Sequence, residues 1–427
     1  MIAKYTYEWT CNTKNILYLF CIRIGGEILN KRKLSLMICA CTCVLLAVVV
    51  LVIAFTYNRP KHDHALGEEK TYHIYADQIK CTQRYADGCQ VELDVEMSLT
   101  ELLMGATKTD RLVLEEDIML TERLNINAFI NSVDPQQEPQ LLNLNINLDL
   151  NGFTLSADID PIDGDLESVD RFKNNSMFKF NANRGSLNLT VSNGKLVSQN
   201  ALCIFVFENH SVSEKINVTL DNVQCEVSGI KATPLFMGAC ENIEFNAINS
   251  RFISRTTGTQ SGDYGVGAFI DSEGEFDFKN CYFEGGDALY VRGGTVGLDS
   301  CELVNVGLAD HSVQGVEAVF YAVGSCLTAD SHTTADGRRT FEITIKDCEM
   351  ISNHSSKMIS IKESISEIGL EGGIDSDSVI NIESCKFDDD PMIEAVSQYD
   401  NIKYPNGIPQ NDGTQTWVCG NTDISAN

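Results

Sequence analysis

Short bursts of alternating apolar and polar residues run through the middle of this chain, and one burst recurs. Within residues 275–303 the pattern apolar-x-apolar-x-x-small-x-apolar occurs twice, at Phe276/Phe278/Cys281/Phe283 and at Val296/Leu298/Cys301/Leu303. Alternation predicts half-buried strands, and the polar pair between them predicts a bend. The pattern also fits at Leu148/Leu150/Phe153/Leu155, Leu189/Val191/Gly194/Leu196, Val218/Leu220/Val223/Cys225 and Phe245/Ala247/Ser250/Phe252. Two further copies follow at Ile343/Ile345/Cys348/Met350 and Ile380/Ile382/Cys385/Phe387. The residue before the small position is Gly152, Asn193, Asn222, Asn249, Asn280, Ser300, Asp347 or Ser384. These types tolerate left-handed backbone, so a bend is expected at one place in every copy.

A second apolar run follows most copies, at residues 203–207, 234–237, 267–270, 288–291, 319–322 and 358–361. A unit with two or three short strands cannot bury its apolar face alone and must stack on copies of itself. The second column, Leu150, Val191, Leu220, Ala247, Phe278, Leu298, Ile345 and Ile382, is spaced by 20 to 47 residues. Short spacings read as one coil; long ones read as two coils, or as one coil with a projecting loop. Residues 255–266 and 310–315 are loops of the projecting kind. An antiparallel β-sandwich also yields many short strands, but it does not place a small residue at one fixed offset in successive units.

On these eight copies the chain resembles the right-handed parallel β-helix of pectin-lyase-like proteins, over roughly residues 99–387. The resemblance implies an all-β, right-handed parallel β-helix solenoid. Residues 98–103 (Ser-Leu-Thr-Glu-Leu-Leu) before the strand-like residues 110–118 resemble the short helix that caps a first coil in such proteins. Residues 144–153 resemble the early-coil sequence of bacterial members.

Ahead of the solenoid, residues 34–57 carry no charge, and their centre is the apolar run 44–54. That length suffices to span a bilayer as one transmembrane α-helix. Lys31, Arg32 and Lys33 precede it, so the N-terminus is expected in the cytoplasm and the bulk of the chain outside. Ala54-Phe55-Thr56 is a poor cleavage site, which favours an uncleaved signal anchor over a signal peptide. The expected layout is a cytoplasmic segment 1–33, the membrane anchor 34–57, and a juxtamembrane linker with the start of a cap at 58–97. The parallel β-helix then spans 98–390, and a C-terminal cap or tail spans 391–427, where Trp417 and Val418 are the residues to close the last coil. The protein is thus read as a single-pass membrane protein with an extracellular repeat ectodomain at the cell surface. His62, His64 and His73 lie in or near the linker without partner cysteines and read as a solvated stalk rather than a metal site.

The chain carries a net charge of −28 and, beyond residue 57, holds 26 Lys and Arg against 58 Asp and Glu. So acidic a surface repels phosphate backbones, which excludes nucleic acid as a natural partner. It repels anionic lipid and polyuronates too, unless cations intervene. Eleven of the 16 cysteines follow residue 57, an odd number that cannot pair entirely within the chain. Cys281, Cys301, Cys348 and Cys385 share one column, where other copies use Gly194, Val223 or Ser250. They therefore read as small apolar fillers rather than as a metal or disulfide ladder. Cys81 and Cys89, outside the columns, are the better disulfide pair.

Pectin-lyase-like enzymes use either a carboxylate-held calcium with a base, or paired acids at the scissile bond. The hydrolase pattern of the family runs Asn-Thr-Asp, Asp-Asp, Gly-His-Gly and Arg-Ile-Lys on consecutive coils. Here Asn421-Thr422-Asp423 lies in the tail, Asp388-Asp389-Asp390 ends the solenoid, and Gly-His-Gly and Arg-Ile-Lys are missing. Arg292 with Glu284, Asp287 and Glu302 forms the one charged group that stacking could gather on a face. Asp158, Asp160, Asp163 and Asp165 resemble a calcium loop in composition, but Ile162 and Val169 stand where such a loop needs its third and last acids. No catalytic residue, cofactor or metal is assigned. Two classes of function remain: a non-catalytic adhesin or scaffold that binds a glycan or protein ligand, and a polysaccharide-active uronate lyase or glycoside hydrolase with a non-standard site.

Overall fold

The computed structural model describes residues 69–84, 89–127, 129–130, 140–159, 176–181, 185–199, 203–208, 215–238, 242–256, 265–272, 274–306, 318–324, 338–353, 357–362, 373–374, 377–387, 394–396, 403–407, 410–411 and 417–418. The chain divides into two units, Met1–Ala65 and Leu66–Asn427, and the described residues all belong to the second. The expected anchor at 34–57 lies outside the described residues. Among the described residues no helix is long and apolar enough to cross a membrane.

The repeats stack as the periodicity predicts. Each copy runs parallel to the next, so Leu189 sits on Val218, Val218 on Phe245, Phe245 on Phe276 and Phe276 on Val296. Val296 then sits on Ile343, and Ile343 on Ile380. The result is an all-β stack in which every coil contributes strands to three faces. Faces one and two, together with three strands that precede the first coil, form a single 19-stranded sheet, and face three is a 9-stranded sheet. Successive coils are hydrogen-bonded at the ordinary strand spacing of about 4.8 Å. The inner columns are almost fully buried in one continuous core, with Phe245, Phe252, Phe276, Phe278 and Phe283 among its largest members.

The sheet turns from face one to face two at a left-handed residue. Asn193, Asn222, Asn249, Asn280, Ser300, Asp347 and Ser384 all have φ between 51° and 58°, and Gly152 has φ 84°. Left-handed backbone bends the strand while the flanking residues stay in the ladder, which is why Ser186–Gln199 and Ile216–Gly229 continue around the corner as single strands. Asparagine also bridges coils there, since Asn280 Nδ2 donates to Asn249 Oδ1 at 3.3 Å.

One column differs from the sequence reading. Val191 pairs with Leu148, not Leu150, while Leu196 pairs with Leu155. The first copy therefore carries two extra residues at its bend. The slip is even, so every inward side chain remains inward. Leu150 fills the corner below Gly194, where an added Cβ would lie 2.5 Å from the Leu150 Cβ. The long spacings resolve as well: Leu298 pairs directly with Ile345, 47 residues on, and Ile345 with Ile382, 37 residues on, so each of these spacings is a single coil.

Before the first coil lies an antiparallel meander of β1 (Lys70–Ile74), β2 (Ile79–Arg84) and β3 (Gln90–Val95). β1 also pairs in parallel with Arg111–Leu114, the first strand of the first coil. Helix α1 (Leu99–Gly105) follows β3, started by a capping box in which Ser98 and Glu101 satisfy each other's backbone groups. Its Leu102 and Leu103 are buried and close the open end of the core. At the far end, Glu394–Val396 still adds to face three, and Tyr404 packs against the core. Trp417–Val418 pairs with Gln410–Asn411.

Candidate functional site

Three members of the charged group singled out in the sequence fall on or just after the strands of the sixth coil, built from Glu275–Lys279, Tyr282–Gly285 and Leu289–Val291, and Glu302 falls on the seventh. The stack does not bring its four members into one cluster. Glu302 is exposed on face two, beside Tyr282 in the next coil. Glu284, also on face two, is buried, accepting from the Tyr282 hydroxyl at 2.5 Å and pairing with Arg255. Arg255 Nε also reaches Glu226 at 3.4 Å, and the Arg251 guanidinium lies 3.9 Å from the Tyr282 ring centre. These contacts tie neighbouring coils together across face two.

Asp287 occupies the corner between faces two and three. Its Oδ1 accepts from the Ala318 backbone N–H of the next coil at 3.1 Å. Coil backbones touch at this corner: Gly286 N–H donates to Gly265 O at 2.7 Å, and a Cβ on Gly285 would lie 2.5 Å from Gly267 N. The Asn305 side chain donates to Gly286 O. Here glycine is required by close approach, and Asp287 braces the approach.

Arg292 stands on face three, on its outer side, yet only 2% of it is exposed. Its Nη2 and Nε donate to the Tyr290 hydroxyl at 2.6 and 3.1 Å. The guanidinium lies 5.0 Å from the Tyr290 ring and 5.5 Å from the Phe269 ring, within cation–π range. Burial pushes the Tyr290 phenol up to about 12; Arg292 opposes that rise, while Asp287 and Asp271 add to it. Tyr290, Arg292, Asp271 and Asp287 thus share one buried electrostatic neighbourhood.

Face three holds the feature that the sequence reading missed. Its outward column runs Val206, Phe236, Phe269, Tyr290 and Tyr321 in direct register. The aromatic rings follow one another at 5.2, 4.8 and 4.7 Å. All five are buried, forming a second apolar cluster outside the main core. The signal was present in runs such as 203–207 and 319–322, where both parities are apolar. Such a strand is buried on both sides.

The cysteine column is a buried thiol stack. The thiols of Cys281, Cys301, Cys348 and Cys385 donate to backbone carbonyls at 3.3, 3.3, 3.2 and 3.3 Å. Bonding of the Cys301 thiol to those of Cys281 and Cys348, together with burial, holds Cys301 well above the usual thiol range. Among the described residues no group of His, Cys, Asp and Glu is arranged to hold a metal. Cys81 and Cys89 are not joined, contrary to expectation. The β2–β3 register sets Cys81 opposite Leu93, four residues along the strand from Cys89. At about 3.3 Å per residue that separation far exceeds the reach of a disulfide.

His73, expected in a solvated stalk, lies on β1 and its Nδ1 contacts Glu115 at 2.5 Å. Asp158 is exposed at the end of the strand Thr154–Asp158. Asp160, Asp163, Asp165, His62, His64, Asp388 to Asp390, Asn421 and Asp423 lie outside the described residues.

The stack defines a class, that of parallel β-solenoid proteins. Comparison of the chain with protein families, with curated proteins and with solved structures finds no match to any of them.

Proposed function

We propose that this chain is a membrane-anchored cell-surface solenoid of the right-handed, pectin-lyase-like kind, and that it binds a glycan or protein ligand without catalysis. The right-handed sense rests on the near-universal handedness of parallel crossover connections. The anchor rests on the uncharged stretch 34–57 and the basic residues before it. One observation carries the binding reading: three of the four charged side chains offered for catalysis are committed to the wall, and the fourth, Glu302, stands apart from them on face two. Glu284 bonds Tyr282 and Arg255, Asp287 bonds the next coil's backbone, and Arg292 bonds Tyr290. What the coil offers instead is extended outer faces of the sort repeat proteins use for recognition. With a net charge of −28, a neutral or cationic ligand suits it better than a polyuronate.

The test is a glycan array probed with the detergent-solubilised full chain, with release of unsaturated uronate and of reducing ends followed in parallel. Binding without product supports the reading. Product release would replace it with the polysaccharide-active alternative. Topology is checked separately by protease protection in whole cells: a tag at Met1 is expected to be shielded, and a tag within residues 325–337 to be cleaved from outside.

A further inference from the structure

The N-terminal end of the stack has an unusual surface. β3 belongs to the 19-stranded sheet and, among the described residues, pairs only with β2. Its other edge is unpaired among the described residues, and Gln90 to Asp94 are all exposed, the condition under which sheets recruit another strand. Val91 (37% exposed), Leu93 (49%), Met97 (39%) and Met119 (68%) are four of the six exposed large apolar residues among those described. A cavity of about 520 Å³ opens where β3 ends, lined by Ile74, Gln78, Val95, Met97, Met119 and Glu122.

The side chains on the two sides of β3 differ in kind. Val91, Leu93 and Val95 share the core-facing parity, opposite Gln83, Cys81 and Ile79 of β2. Glu92 and Asp94 take the other parity, and Glu96 follows. Lys80 of β2 reaches Glu92 at 3.1 Å; Asp77 and Glu122 add two carboxylates at the cavity. A second copy of this chain is a poor occupant, because edge-to-edge pairing would set Glu92 and Asp94 against a like-charged row on a chain of net charge −28. The exposed edge is thus guarded against itself while remaining open to an oppositely charged strand.

We propose that β3 is a strand-addition site for an extended basic polypeptide segment in which apolar and Lys/Arg residues alternate. Backbone hydrogen bonds to the free edge supply the attachment. Apolar side chains of the guest continue the Val91–Leu93–Val95 row towards the cavity. Basic side chains fall beside Glu92 and Asp94. This deepens the binding reading by naming a partner class, and it stands apart from the glycan test because the N-terminal edge and the coil walls are different surfaces.

The experiment uses the full chain and four fluorescein-labelled heptapeptides followed by anisotropy: Lys-Val-Lys-Val-Lys-Val-Lys, the same peptide with Glu for Lys, and the first peptide N-methylated at its Lys residues or, separately, at its Val residues. Saturable binding of the Lys-Val peptide, at least about tenfold tighter than the Glu-Val peptide, is expected. N-methylation on one edge of the guest should abolish binding, and on the other edge leave it. The double variant Glu92→Lys, Asp94→Lys should reverse the preference, a gain of binding that an unfolded protein cannot mimic. Equal binding of both charges, tolerance of N-methylation on both edges, or an unchanged preference in the double variant would each overturn the proposal. So would self-association through β3 in sedimentation.

Discussion

Cys301 and Glu302 are adjacent in sequence and live in different media: Cys301 is 2% exposed inside the coil, while Glu302 faces water. Replacing Cys301 by Ala removes one buried sulfur and should cost about 1 kcal/mol. Replacing it by Asp places a carboxylate between strand layers with no partner, at a cost of roughly 3 kcal/mol or more. Glu302→Ala should be nearly silent. Thermal melts of the three variants separate these outcomes, and a harmless Cys301→Asp would misplace the inward column. Tyr290 gives a pH signature at the same scale. Its phenol is raised from 10 to about 12 in the fold. Between those values the unfolded chain has lost the proton and the folded chain keeps it. Stability from this group is therefore intact below pH 10 and lost as pH rises to 12, by roughly 3 kcal/mol. Tyr404 shifts in the same direction. Urea midpoints from pH 9 to 12 should fall steeply in the natural protein. They should fall less steeply in Tyr290→Phe, even though that variant starts lower because Arg292 loses its acceptor.

At the scale of the element, the corner between faces one and two is the most legible part of the chain. Left-handed backbone is restrictive enough that only a few residue types fill it cheaply, so Asn, Gly, Ser and Asp at a fixed offset announced each bend. Asn280→Ala should cost about 1–2 kcal/mol, because alanine at φ 51° is strained and the bond to Asn249 is lost. Asn280→Gly relieves the strain and loses only the bond, so its melting temperature should lie between alanine's and the natural protein's. The reverse order would mean that the ladder, not the backbone, holds the corner. Two features of the elements were harder to read. The two-residue excess in the first bend preserves parity, so an alternation template accepts Leu148/Leu150 as readily as the true pairing through Leu148. The outer aromatic column of face three was visible only as runs apolar at both parities. A period-two pattern cannot tell such a strand from an ordinary core strand, because covering the outer face is a tertiary event.

For the whole molecule, stacking makes register the governing quantity. Each coil touches its two neighbours and little else, so stability is nearly a sum of coil and interface terms. The long spacings could not be divided from sequence, since a loop and an extra coil have the same length; the direct pairing of Leu298 with Ile345 settles that spacing as a single coil. The charged group around Arg292 was legible as residues but not as a site, since a spacing in sequence does not say on which of three faces a side chain will land. The same register yields a stringent test. Gly294 pairs with Phe341, so deleting residues 294–340 removes one whole coil and sets Phe341 where Gly294 stood. Phe276 then meets Ile343, Cys281 meets Cys348 and Leu289 meets Ile359, each an inward residue on an inward residue. The shortened protein should fold with a cooperative, strand-rich melt at a lower temperature. Deleting residues 294–339 instead leaves one residue too many, and the slip turns every inward side chain of the following strand outward. That variant should fail to fold or should unfold over a broad range. Circular dichroism melts of the pair decide the matter: equal behaviour of the two deletions would mean that the coils are not the units of this fold.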